Sequence, residues 1–138
     1  VKALGSRFDG LMTSEDGTER FWIEAKNVSL VEDEVACFPD AVTTRGARHL
    51  DDLAQLVQKG DRAACLYVVQ RGDARCFAPA DFIDPAYAEA YDKARKAGVV
   101  MWVVETEVRN AELGMADSPK KDLEKSGIYF TRKLQLKA

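Results

Sequence analysis

The sequence predicts an α/β domain: a mixed central sheet flanked by helices. Three observations carry that reading. Asp16-Gly17 sits between two strand-like segments, the pattern of a tight antiparallel hairpin. Two nearly unbroken apolar runs, Arg62 to Gln70 (RAACLYVVQ) and Val99 to Val104 (VVMWVV), read as central strands covered on both faces. A helix that starts at Asp84-Pro85 and ends before Gly98 separates them, which suggests a parallel crossover.

Taken in order, Ser6 to Thr13 alternates like a strand, and Arg20 to Asn27 is its hairpin partner. A short third strand is expected from Glu34 to Phe38, stopped by Phe38-Pro39-Asp40. Thr43 or Thr44 can cap a helix running to about Lys59 and ended by Gly60. Ala47, Leu50, Leu53, Ala54 and Val57 make its apolar stripe, with Arg45, Arg48, His49, Asp52 and Gln55 largely elsewhere. Beyond Ala111 the pattern weakens to a short helix around Lys120 to Lys125 and an edge strand from Ile128 to Leu136. The expected organisation is a core over residues 1–110 and an extension over 111–138 packing on the same domain.

Composition narrows the function classes. A chain of 138 residues, 46% hydrophobic and 31% charged, makes one ordinary globule without staples. The formal net charge of −3 advertises neither a nucleic acid nor a membrane, so any polyanion site must be a local basic patch. No apolar run approaches the roughly 18 residues of a membrane span, and the opening Val1-Lys2-Ala3-Leu4-Gly5 is not a signal peptide. Cys37, Cys65 and Cys76 form no CxxC and leave an odd thiol, so a reducing, cytoplasmic setting is expected. The sequence also begins without methionine, as a piece of something longer would.

If Asp16-Gly17 is a two-residue turn, Asp9 faces Glu24 and Phe8 faces Ala25 across the hairpin. Alternation then gives a core face of Phe8, Met12, Phe21, Ile23 and Ala25. The other face holds Arg7, Asp9, Glu24 and Lys26, with Trp22 beside them. Directly opposed acids destabilise a sheet unless something neutralises them. Lys26 and Arg7 could do so on an ordinary solvated surface. A divalent cation could also do so: Asp9, Glu24 and the backbone carbonyl of Ala25, with water, suit Mg²⁺, for which Mn²⁺ can substitute. Lys26 would then reach the metal-bound water or a reacting phosphodiester.

Longer stretches resemble the sugar fermentation stimulation protein family. They are Ser6-Arg7-Phe8-Asp9, Ile23 to Val31 (IEAKNVSLV), Phe38 to Leu50 (FPDAVTTRGARHL), Val69 to Ala74, Phe77 to Asp81 and Ile83 to Ala88. That resemblance implies an N-terminal OB-like domain, absent from this chain, followed by a restriction-endonuclease-like (PD-(D/E)xK) core. It implies that Asp9 and Glu24 are metal-binding acids and Lys26 a catalytic lysine. It also implies DNA binding without sequence specificity and a link to the regulation of maltose metabolism. Whether nuclease activity is retained stays open. A non-catalytic DNA-binding module on the same fold is the main alternative, and an RNA nuclease a third.

Arg7, Arg45, His49, Gln70 and Arg71 are the candidate nucleic-acid contacts, giving affinity through phosphates rather than base reading. Gln70 and Arg71 end a central strand, where ligands of α/β sheets gather. His49, the single histidine, is either a rim residue of the site or an ordinary helix contact. No membrane partner is expected, and the oligomeric state stays open.

Overall fold

The computed structural model describes residues 1–109 and 127–137. The chain runs β1 (Lys2–Ala3), β2 (Ser6–Arg7), β3 (Gly10–Thr13), β4 (Arg20–Val28), β5 (Leu30–Glu32), β6 (Val35–Phe38) and α1 (Thr44–Gln58). It continues through β7 (Arg62–Val69), β8 (Cys76–Pro79), α2 (Pro85–Ala97), β9 (Val100–Arg109), β10 (Gly127–Lys133) and β11 (Gln135–Leu136). The main sheet has the order β10-β9-β7-β4-β3, and a second sheet the order β11-β8-β6-β5. β4, β7 and β9 are parallel, while β3 and β10 flank them antiparallel. The predicted crossover between the two apolar runs is therefore present, and the fold is mixed α/β.

Both helices start and stop where local chemistry directs. Thr43 caps α1 by accepting from the Gly46 amide at 3.0 Å. Asp84 caps α2, accepting from the Tyr87 amide at 3.0 Å and, across to α1, from the Thr43 amide at 2.8 Å. Gly98 ends α2 at φ 104°, a left-handed position that a β-carbon makes costly.

The first hairpin keeps the expected register with a different turn. Gly10 pairs with Ile23 and Met12 with Phe21. The loop is wider, however: the Ser14 amide bonds the Glu19 carbonyl at 3.0 Å, and among its residues Gly17 alone has positive φ. Asp16 organises that loop by accepting from the Ser14 hydroxyl and from the Thr18 amide and hydroxyl. These bonds hold its carboxyl down at about 2, with the Ser14 bond contributing most. A four-residue loop centred on the same point preserves the strand pairing.

Two expectations are corrected here. The segment from Ser6 to Thr13 is not one strand: β2 pairs with β1, and the chain bends at Asp9 before β3 begins. The assignment of faces is reversed with it. Trp22, Glu24, Lys26 and Val28 lie opposite Ala63, Cys65, Tyr67 and Val69 on the face that α1 and α2 cover. Phe8 joins this core, edge-on to Trp22. Phe21 and Ile23 lie on the other face, where Met12 is 55% exposed. Alternation failed at the bend because one turned residue moves every earlier side chain to the opposite face.

The apolar strands are also covered less symmetrically than expected. Ala63, Cys65, Tyr67 and Val69 are buried beneath the helices, whereas Leu66, Val68 and Trp102 on the reverse face are half-buried. β5 and β8 went unanticipated, being three- and four-residue strands below the length at which periodicity is readable. The expected helix around Lys120 to Lys125 lies outside the described residues. β10 does form an edge strand on β9, with a bulge between Phe130 and Arg132, and β11 crosses to pair with β8.

Candidate functional site

The site is assembled on β4, at the bend before β3 and on the first turns of α1. Phe8 is 1% exposed and wedged edge-on against Trp22 and His49, each with ring centroids 5.7 Å away. That anchor turns the next residue outward. Asp9 therefore sits at the edge of β4, where its Oδ2 accepts the Ala25 amide at 2.8 Å. Its carboxylate takes the place that a backbone carbonyl would fill if β3 continued, on the amide of the residue that follows Glu24.

Glu24 points from β4 into the helix-covered face and is 4% exposed. Its Oε1 accepts from the Lys26 ammonium at 2.6 Å and from His49 Nδ1 at 2.6 Å. Its Oε2 is buried with no hydrogen-bond partner among the described residues. Cys65 adjoins the group from β7, and burial pushes its thiol up to about 12. Tyr67 and Lys26 oppose that rise, while Glu24 and Asp9 add to it. Both carboxylates thus act on one buried atom.

Asp9, Glu24, Ala25 and Lys26, singled out from sequence, come together. Two oxygen donors from carboxylates and one backbone carbonyl remain few ligands. Among the described residues no group of three or more His, Cys, Asp or Glu side chains forms a metal-ligand set. The residues present still fit a hard cation such as Mg²⁺. Mg²⁺ keeps several waters and takes one or two carboxylates, and the orphaned Glu24 Oε2 is an oxygen lacking a partner.

The expected phosphate contacts are more dispersed. Arg7 is exposed on β2, and Arg45 is exposed in the first turn of α1. Gln70 and Arg71 are exposed just past β7, where Arg71 bonds Asp73 at 2.9 Å and approaches the Ser29 carbonyl at 3.5 Å, beyond the end of β4. His49 is 2% exposed and stands behind Glu24.

Sequence reasoning missed the burial of three polar side chains, of which His49 alone had been named as a candidate. His49 and Asp52 are buried on the apolar face of α1 beside Leu50, Leu53 and Leu56, a stripe whose 3.6-residue spacing was visible but whose polar members were set aside. Asp52 accepts a short hydrogen bond from the Ser6 hydroxyl. Glu105, 7% exposed, accepts from Thr131 Oγ1 at 2.8 Å and from Arg132 at 2.8 and 3.1 Å.

With this geometry in place, comparison with known proteins adds the lineage. Residues 1–112 match the family described as "Sugar fermentation stimulation protein RE domain". The chain belongs to that family. The sugar fermentation stimulation protein homolog of Maridesulfovibrio salexigens is 51% identical over 116 residues, covering 83% of this chain and 48% of that protein. The homolog of Syntrophobacter fumaroxidans is 57% identical over 103 residues, covering 75% and 39%. The chain thus spans less than half the length of these curated relatives. Pyrococcus furiosus SfsA, solved in complex with Ca²⁺, superposes with a TM-score of 0.80 at 25% identity, over 100% of this chain and 53% of that one. The family's restriction-endonuclease-like core is therefore the fold adopted here. Among the described residues no helix is long and apolar enough to cross a membrane.

Proposed function

We propose that this domain binds a divalent cation through Asp9, Glu24 Oε2 and the Ala25 carbonyl, and uses it on the phosphodiester backbone of DNA without reading sequence. The observation that carries the proposal is Glu24: a buried carboxylate that, among the described residues, has two donors on one oxygen and none on the other. Leaving a buried polar oxygen unpaired costs about 1–3 kcal/mol, and more when the group is charged, a cost that a bound cation offsets. The Ca²⁺ complex of the Pyrococcus furiosus relative supports the same reading, since Ca²⁺ and Mg²⁺ share hard oxygen ligands.

The chemistry the cation supplies is a lowered pKa for bound water and charge neutralisation at the phosphate. The chain's own residues do the rest. Lys26, tethered to Glu24 and 13% exposed along its side chain, presents an ammonium beside the carboxylates, where it orients water or stabilises the developing negative charge. Arg7, Arg45, Gln70 and Arg71 hold phosphates along the rim. A link to maltose metabolism belongs to the proposal through the family resemblance.

The second reading, a non-catalytic DNA-binding module, is favoured by the acidic balance of the chain and the short ligand set. Incubation with single-stranded, duplex and branched DNA plus Mn²⁺, with RNA in parallel, separates the two. Cleavage that disappears in Lys26→Ala is expected. Binding without cleavage, unchanged by Lys26→Ala, would select the module.

A further inference from the structure

We infer that His49, held by Arg45, is the positioning residue of Glu24, so that its imidazole serves the carboxylate rather than the nucleic acid. The inference rests on the cation-binding reading above and assigns a device within that site.

Arg45 Nε donates to His49 Nε2 at 3.4 Å. An imidazole nitrogen that accepts carries no hydrogen, so the ring proton of neutral His49 resides on Nδ1. That proton is donated to Glu24 Oε1 at 2.6 Å. Lys26 donates to the same oxygen. Oε1 is thereby the oxygen that fixes the side chain, and Oε2 is left to take a ligand. The ring itself cannot drift. It is 2% exposed, and Phe8 meets it edge-on at an interplanar angle of 60°.

The same helix face also indexes the other carboxylate. Asp52, one turn beyond His49, takes the Ser6 hydroxyl three residues before Asp9. His49 thus registers α1 on β4 at Glu24, while Asp52 registers it on β2, ahead of the bend that delivers Asp9. A single rigid element sets both acids, which is what a site with few protein ligands requires.

The chain contains one histidine, so its imidazole ¹⁵N resonances need no residue assignment, and couplings to the two ring carbon-bound protons tell Nδ1 from Nε2. The inference expects a protonated Nδ1 and an unprotonated Nε2 in the wild type, with Arg45→Leu shifting the tautomer balance. Calorimetric titration with Mn²⁺ supplies the second readout. His49→Asn puts an amide donor near the Nδ1 position and should keep affinity within about threefold. His49→Gln puts it near Nε2 and should lose about 10–100-fold. A wild-type ring protonated on Nε2, or a His49→Gln chain binding Mn²⁺ as tightly as wild type, overturns the positioning role. If the wild type takes up no Mn²⁺, the cation reading fails instead. The imidazole spectrum then still decides whether the Arg45–His49–Glu24 arrangement exists.

Discussion

Replacing Glu24 by glutamine tests the site with a nearly isosteric change. Glu24 and Lys26 side chains are only 6% and 13% exposed, so the substitution leaves an ammonium facing an amide in a largely dry setting. Breaking a fully buried pair costs about 3–5 kcal/mol, but the Lys26 stem can swing its head toward water, so about 2 kcal/mol is expected. At about 3 °C per kcal/mol for a domain of this size, the metal-free variant should melt about 6 °C lower. A cation at 100 times its Kd stabilises the native state by about 2.7 kcal/mol, hence about 8 °C in the wild type. Differential scanning calorimetry with and without Mg²⁺ or Mn²⁺, at matched ionic strength, reads both quantities. The wild type should show the ligand shift and Glu24→Gln should show none. Equal shifts in the two proteins, or no shift in the wild type, would refute the reasoning.

Two further predictions concern the frame around the site. Asp84→Ala removes the cap of α2 and its bond to the Thr43 amide, so chemical denaturation should show a loss of about 2 kcal/mol, with Asp84→Asn recovering part of it. Burial alone would raise the Glu105 carboxyl, but hydrogen bonds from Arg132 and Thr131 and the Arg132 charge outweigh it and hold it below its ordinary value of 4.5. A group depressed in the folded state stabilises fully above its unfolded pKa and loses that contribution as pH falls through the folded one. Unfolding free energy measured from neutral pH down into the carboxylate range should therefore decline less steeply in Glu105→Gln than in the wild type.

The helices were legible because their ends carry chemistry: Thr43, Asp84 and Gly98 act on the backbone within a few residues of themselves. The hairpin register was legible for a related reason, since any even-length loop about Asp16-Gly17 gives the same pairing. What lay beyond reach depends on distant contacts. The bend at Asp9 exists because Phe8 finds Trp22 and His49, and His49 is 41 residues further along the chain. Without that contact, alternation placed the charged side chains outside. Both acids were therefore set on a solvated face, when Glu24 in fact faces a helix. His49 was weighed as a rim residue or an ordinary helix contact, and its burial against Glu24 was beyond reach because the β4–β7 pairing and the packing of α1 bring the two together.

The main sheet carries its own control for the reading of Glu24. Among the described residues two carboxylates are buried on its helix-covered face, Glu24 at 4% and Glu105 at 7% exposure. Removing such a charge from water costs several kcal/mol, so stability alone favours neither of them over a leucine. Glu105 offsets the cost symmetrically, with Thr131 on Oε1 and Arg132 on Oε2, and no oxygen is left over. It ties β10 to β9, which is what a structural carboxylate does. Glu24 receives two donors as well, yet both converge on Oε1. A purely structural pair would gain by spreading its donors, because the second oxygen pays the full desolvation cost alone. Among the described residues no donor reaches Oε2, and that asymmetry, beside an Asp9 anchored on the next residue's amide, is the arrangement that the proposed cation would use.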